Sequence, residues 1–122
     1  MRTGEVGLDR SENGLTVVLI RGEHDLNTAP ALRTHLERLL TEGSPFVVDL
    51  TEATFIDSSI LGVILQARRD AAASGVGFAV AEGGGAEAVR RVLDVTGVRE
   101  ELPVHGSREE AASQAAGSGS PT

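Results

Sequence analysis

The sequence predicts a single α/β domain with a mixed, largely parallel sheet of about four to five strands, packed with about four helices. Three short apolar runs, at residues 15–20, 46–50 and 78–81, are predicted to be strands buried on both faces. Amphipathic segments that end at glycines separate these runs along the chain. Apolar strands that alternate with helices are typical of a parallel sheet covered by helices.

An antiparallel hairpin is expected at the start of the chain. Residues 4–10 have a weaker strand pattern, and the turn-forming residues 11–14 join them to the run at 15–20. Residues 22–25 are predicted to lie beyond the end of that second strand. A short loop is likewise predicted at residues 51–54, before the second helix.

The helices are predicted from the spacing of apolar residues and from residues that favour helix ends. Pro30 fits the first turn of the first helix, where a missing N–H does no harm. The remaining elements are a helix that begins near Asn27 or Thr28 and ends at Gly43, a helix over about 58–74 that ends at Gly75, a helix over 86–96, a short strand over 102–104 and a terminal helix over 107–116.

The composition argues against several classes of function. The 122 residues carry a net charge of -7, and they include no tryptophan, no tyrosine and three phenylalanines. Such a chain lacks the cationic surface and the aromatic platform that nucleic-acid binding uses. With no cysteine and three scattered histidines, we expect no disulfide, no metal site and no cofactor.

The composition also sets expectations for location and partners. No segment approaches the ~20 apolar residues of a membrane span, so we expect a cytoplasmic protein without membrane association. We expect a monomeric domain over residues 1–116 and a flexible tail over 117–122. The acidic charge favours a basic protein partner through the rate of association, although solubility alone also explains it.

The clearest functional candidate is the tripeptide Asp57-Ser58-Ser59, between a buried strand and an apolar helix. Ligands and modifications in α/β folds gather where strands end, and a helix N-terminus offers free N–H groups and partial positive charge. Helix capping alone also explains all three residues. With Asp57 as the N-cap, Ser58 keeps a free hydroxyl suited to accept a phosphate. With Ser58 as the N-cap, its oxygen binds the backbone N–H near Leu61.

Three segments resemble the STAS domain family, and among its branches the bacterial anti-sigma factor antagonists. The first is FIDSSILGVIL at residues 55–65, preceded by VVDL at 47–50. The second is GEHDLNTA at 22–29, and the third is VLDVTGV at 92–98. Together the three segments span most of residues 4–110, and they occur in the order that the family has.

The resemblance implies a protein that is not an enzyme and that binds an anti-sigma factor, itself a serine kinase, so that a sigma factor is released. It implies that the kinase phosphorylates Ser58, that phosphorylation breaks the complex, and that a serine phosphatase restores it. The loop that contains Asp25 would lie beside Ser58. The partner-binding residues that follow from the resemblance are Glu23, Asp25, Asn27, Asp57, Ser58, Ser59, Ile60 and Val63.

Ile60 departs from the family pattern, which usually has glycine after the two serines. The isoleucine side chain either packs inward or is exposed as a hot spot on the partner-facing surface. The departure bears on which kinase recognises the site, and it leaves the acceptor serine in place.

Other functions fit the sequence less well. A hydrolase would use Ser58 as nucleophile, His24 as base and Asp25 to orient the base, but adjacent His and Asp residues cannot readily form a linear relay with the serine. Glycines 83–85 could cradle an anion, although the lysine of a phosphate-binding loop is absent. Within the family, the alternative is a non-catalytic subunit of a transport or stress-sensing complex, a choice that the fold alone does not make.

Overall fold

The sheet is organised around one long strand, whose two halves pair with different neighbours. The computed structural model describes residues 4–10, 14–83 and 86–118. The elements in chain order are β1 (Glu5–Arg10), β2 (Thr16–His24), α1 (Ala29–Glu42), β3 (Phe46–Asp49), β4 (Ala53–Ile56), α2 (Ser58–Ser74), β5 (Phe78–Ala81), α3 (Glu87–Val95), a 3-10 turn (Val98–Glu100), β6 (Val104–His105) and α4 (Arg108–Ser118).

The strand order is β1-β2-β3-β5-β6, with β4 paired to the second half of β2. β1 runs antiparallel to β2, and the other pairs are parallel. The predicted α/β class and the mixed, largely parallel sheet are therefore confirmed. The turn predicted at residues 11–14 and the end of the predicted tail fall largely outside the described residues.

The two faces of the sheet are covered by different helices. Alternate residues of the interior strands, such as Val18 and Val48, pack with α1, α2 and α3 in the larger core. Their neighbours, such as Val17 and Val47, face α4, which contributes the small side chains Ala111 and Ala115. This two-sided burial explains why residues 17–20, 46–48 and 78–81 are all apolar.

The predicted ends of the first two helices are confirmed. Gly43 and Gly75 both take a left-handed conformation, with φ of 77° and 71°, and the N–H of each returns to carbonyls of the last turn. Glycine adopts this conformation without the steric cost of a Cβ, which is why it is favoured after a helix.

Two predictions about the strands are wrong. Residues 22–24 continue β2 instead of leaving it, and the loop predicted at residues 51–54 is shorter, because Ala53 and Thr54 already belong to β4. β4 contains one extra residue, because Gly22 is opposite Ala53 whereas Glu23 is opposite Phe55. Thr54 is thus the extra residue of a β-bulge, and Gly22 accommodates the irregularity with a φ of 79°.

Candidate functional site

The second helix begins where β4 ends, and Asp57 forms the junction. Its backbone is extended, with φ -114° and ψ -175°. Its Oδ1 accepts hydrogen bonds from the Ser59 N–H at 3.0 Å, the Ile60 N–H at 3.2 Å and the Ser59 hydroxyl at 2.5 Å. Of the two capping arrangements that the sequence allows, the structure therefore has Asp57 as the N-cap.

Ser58 occupies the first helical position and is exposed. Its hydroxyl makes no hydrogen bond with the part of the chain that the structure describes. Ser59 is half-buried, and its hydroxyl is engaged with the Asp57 carboxylate. Of the two serines, Ser58 is thus the one whose oxygen is accessible and free to react.

The pKa of Asp57 is lowered from its ordinary value of 3.8. Burial alone would raise it, but hydrogen bonds from the Ser59 hydroxyl and from the backbone N–H groups of Ile60, Ser59 and Leu26 together outweigh burial. The carboxylate is therefore charged at neutral pH. Because His24 pairs with Ile56 at the ends of β2 and β4, the loop after β2 also lies next to the start of α2.

That loop is held by its own polar side chains. The Asp25 Oδ1 accepts from the Asn27 N–H at 2.9 Å, and the Asp25 N–H donates to the Thr28 Oγ1 at 3.0 Å. Glu23, Asp25 and Asn27 are all exposed. The structure thus brings together, at one end of the sheet, the two segments that the sequence analysis singled out.

His24 is buried and contacts Thr28 at the end of this loop. Its Nδ1 is 3.0 Å from the Thr28 Oγ1, and its Nε2 is 3.2 Å from the Glu5 carbonyl and 3.0 Å from the Arg21 carbonyl. Both ring nitrogens are therefore occupied by partners other than Ser58. A hydrolase with His24 as the base for Ser58 is incompatible with this arrangement.

Two of the predicted partner-binding residues are buried. Ile60 is 0% exposed and Val63 is 4% exposed, and both belong to the stripe of α2 that packs in the larger core. Of the two orientations expected for Ile60, the structure has the inward one. The expectation that these two side chains contact a partner is incompatible with their burial.

Two exposed apolar residues at this end of the sheet were not predicted. Leu26 is 71% exposed and Phe55 is 41% exposed. Leu26 follows Asp25 in the loop, and Phe55 precedes Asp57 by two residues in β4. Their types are visible in the sequence, but their exposure depends on the bulge and on the fold of the loop.

The remaining site predictions concern metals, anions and membranes. Within residues 4–10, 14–83 and 86–118, no group of three or more His, Asp or Glu side chains could hold a metal ion. Gly83 has a φ of 61°, whereas Gly84 and Gly85 lie outside the described residues. Among the described helices, none has the length and apolar character needed to cross a membrane.

Comparisons with known proteins agree with this architecture. A family model described as STAS domain matches residues 9–111. No curated protein sequence is similar enough to count as a match. Among solved structures, the chain is similar to an anti-sigma factor antagonist from Mycobacterium paratuberculosis, with 24% identity, a TM-score of 0.77, and coverage of 93% of this chain and 94% of that one.

Two further solved structures have related folds. One is the phosphorylated form of SpoIIAA, a cell fate determinant of Bacillus, with 18% identity, a TM-score of 0.65, and coverage of 87% of this chain and 95% of that one. The other is a sulfate transporter family protein from Wolinella succinogenes, with 16% identity, a TM-score of 0.63, and coverage of 84% of each chain. The fold is thus found both in antagonists and in a transporter-related protein.

Proposed function

The chain belongs to the STAS domain family, and from that premise we propose that it is an anti-sigma factor antagonist. It binds an anti-sigma factor that is also a serine kinase, and this binding releases a sigma factor. Phosphorylation of Ser58 by the kinase ends the interaction, and a serine phosphatase restores it. In this role the chain acts by binding as a cytoplasmic monomer and performs no catalysis of its own.

The observation that carries the proposal is that Asp57 caps the helix while the neighbouring Ser58 is exposed. Asp57 supplies the helix cap, so the first turn of α2 does not depend on the Ser58 hydroxyl. Ser58 is exposed on the adjacent position. A kinase can therefore reach the hydroxyl, and the added phosphate displaces no hydrogen bond of the cap.

A phosphate at Ser58 would act mainly on the partner. It brings nearly two negative charges to a helix N-terminus, which tolerates them. The same phosphate lies next to the charged Asp57 and on the same end of the sheet as the exposed Glu23 and Asp25. A partner that closes over this surface meets both repulsion and the cost of desolvating a dianion, and about 3 kcal/mol already weakens binding more than a hundredfold.

The structural neighbours support the same role. One is an anti-sigma factor antagonist that covers nearly the whole chain, and another is SpoIIAA in a phosphorylated form. They cover 93% and 87% of this chain, respectively.

A second candidate function is a non-catalytic STAS subunit of a transport or stress-sensing complex. The observation in its favour is the similarity to a sulfate transporter family protein. Such a subunit would stay bound to its complex whatever the state of Ser58. A stable transporter or ATPase assembly purified with the chain would favour this candidate.

The test is phosphorylation of the purified chain by the anti-sigma factor kinases of the organism that encodes it. Each kinase is incubated with the chain and ATP, and intact mass and fragment masses are read. We expect one phosphate at Ser58 that is lost in Ser58→Ala and retained in the matched control Ser59→Ala. We also expect Ser58→Asp to bind the kinase at least a hundredfold more weakly than the unmodified chain. Tight binding that is insensitive to Ser58→Asp would contradict the switch.

A further inference from the structure

Few large apolar side chains are exposed in the part of the chain that the structure describes, and two of these belong to the segments next to the serine site. Among the described residues, the exposed large apolar side chains are Leu8, Leu26, Phe55 and Val95. Leu26 and Phe55 belong to the two segments that meet at Asp57, and we call them together the apolar patch. Single exposed apolar residues are ordinary on protein surfaces, but two beside a free hydroxyl indicate a contact surface.

Phe55 is on the surface because of the β-bulge. Ala53 is buried, so a regular strand would bury Phe55 as well and expose Ile56, since side chains alternate between faces. The extra residue Thr54 reverses that alternation, and Ile56 becomes buried while Phe55 becomes exposed. Bulges beside functional sites commonly redirect a side chain in this way. The regular pairing of β2 with β4 is therefore interrupted next to the position where an aromatic ring is exposed to solvent.

Leu26 is exposed on a loop whose backbone is fixed on both sides. On either side of it, the Asp25 Oδ1 accepts from the Asn27 N–H, and the Asp25 N–H donates to the Thr28 Oγ1. The side chain is therefore presented by an ordered backbone, and a partner would not need to order the loop on binding. Preorganisation of this kind increases affinity.

The border of the apolar patch is acidic. Glu23 is directly opposite Phe55 in the strand pairing, Asp25 precedes Leu26, and Asp57 is charged. The chain as a whole carries a net charge of -7. A surface that complements this region has an apolar centre and basic groups at its edge.

We propose that Leu26 and Phe55 are the apolar anchors that hold the anti-sigma factor kinase over Ser58. The inference rests on the proposed function and adds the residues that give the complex its affinity. It also explains why one phosphate is sufficient as a switch. A dianion at Ser58 would have to be desolvated next to these apolar contacts, where water is excluded and the cost is greatest.

The test measures binding of Leu26→Ala, Phe55→Ala and the double variant to the anti-sigma factor kinases of the source organism, without ATP. We expect each single variant to bind at least tenfold more weakly, and the double variant at least a hundredfold. The matched control is Val95→Ala, which removes an apolar side chain that is 79% exposed at the end of α3. It should change binding by less than twofold. Leu26 and Val95 are mostly exposed, so their alanine variants should keep thermal midpoints close to that of the parent chain. Phe55 is 41% exposed, so its variant should lose some stability and still fold.

The outcomes separate this inference from the proposed function. If no kinase binds the parent chain, the proposed function fails. If the parent binds and Ser58→Asp does not, while both alanine variants bind normally, the proposed function stands and the anchor role is overturned. Sedimentation of the parent and double variants gives a further check. A dimer of the parent that dissociates in the double variant would assign the apolar patch to a second copy of the chain, and would likewise overturn the proposal.

Discussion

Asp49 and Asp57 each stand at the carboxyl end of a strand, but their surroundings differ. Asp49 is 1% exposed, and its Oδ2 accepts from the Arg108 Nε at 2.7 Å while its Oδ1 accepts from the Thr51 N–H at 2.8 Å. Asp57 is half-buried, and the Ser59 hydroxyl and the N–H groups of Ser59 and Ile60 that donate to it are all neutral and all in its own helix. One carboxylate is matched by a cation, and the other is matched by N–H groups and a hydroxyl.

The difference lies in how far each partner is along the chain. Arg108 begins α4, which covers the second face of the sheet, so its contact with Asp49 attaches a distant element to β3. The partners of Asp57 in α2 are the next two or three residues, so its contacts fix one helix turn. The Asp57 cap leaves Ser58 exposed, whereas the Asp49 carboxylate is buried where β3 meets α4. The same residue type thus serves the fold in one place and presents Ser58 in the other.

The largest effect on stability is expected for Asp49→Ala. It removes a buried carboxylate, its ion pair and its hydrogen bond to the Thr51 N–H. Because Arg108 is 38% exposed and can return to water, we expect a loss of about 2–3 kcal/mol in the free energy of unfolding, measured by urea denaturation.

The matched control for Asp49→Ala is an exposed ion pair. Arg10 and Glu42 are 2.9 Å apart at the surface, and Glu42→Ala should cost at most about 0.5 kcal/mol. Equal effects of the two substitutions would show that Asp49 does not attach α4 to the sheet.

A smaller and pH-dependent effect is expected for Asp57→Ala. Loss of an N-cap costs about 1 kcal/mol at neutral pH. The pKa of Asp57 is lowered in the folded chain. The charged carboxylate therefore stabilises the fold fully at pH values above the ordinary pKa of 3.8, and this stabilisation is lost as the pH falls through the lowered pKa. The difference in unfolding free energy between the parent and Asp57→Ala should therefore be constant above about pH 5 and shrink below about pH 4.

The control for that pH dependence is Asp57→Asn, which keeps a good N-cap but cannot ionise. Its unfolding free energy should fall less than that of Asp57→Ala at neutral pH. A gap between the parent and Asp57→Ala that stays the same from pH 7 to pH 3 would contradict a carboxylate held in its charged form.

Much of the fold could be predicted because its signals are local. The helix ends at Gly43 and Gly75 follow from the freedom of glycine to adopt positive φ, and the interior strands follow from apolar runs. β4 could not be found in this way. Two of its four residues are exposed side by side, so neither alternation nor a buried run is present, and its pairing with β2 depends on a segment far away in sequence.

The location of the site could be predicted from the sequence, but the choice of the N-cap residue and the exposure of Phe55 could not. Both Asp57 and Ser58 are good caps, and the choice depends on the extended backbone that β4 imposes on Asp57. The exposure of Phe55 depends on the bulge, which leaves no local signal. The burial of Ile60 could have been predicted, because Val63 and Ile64 follow it at the spacing of one helix face.

The smallest effect on stability is expected for Ser58→Asp. A small loss in unfolding free energy here, beside the large loss for Asp49→Ala, would distinguish the region around Asp57 from the region around Asp49. Ser58 is exposed at the first helical position, where added negative charge interacts favourably with the helix N-terminus. Its thermal midpoint should stay within about 2 °C of the parent, which corresponds to about 0.5 kcal/mol.

In the matched control Ser59→Asp, the hydrogen bond to the Asp57 carboxylate is replaced by a second negative charge. That variant should lose about 1–2 kcal/mol, because hydrogen bonds to charged groups contribute about that much. If both variants fell equally, Ser58 would be a structural residue like Asp49, and its exposed hydroxyl would no longer support a switch.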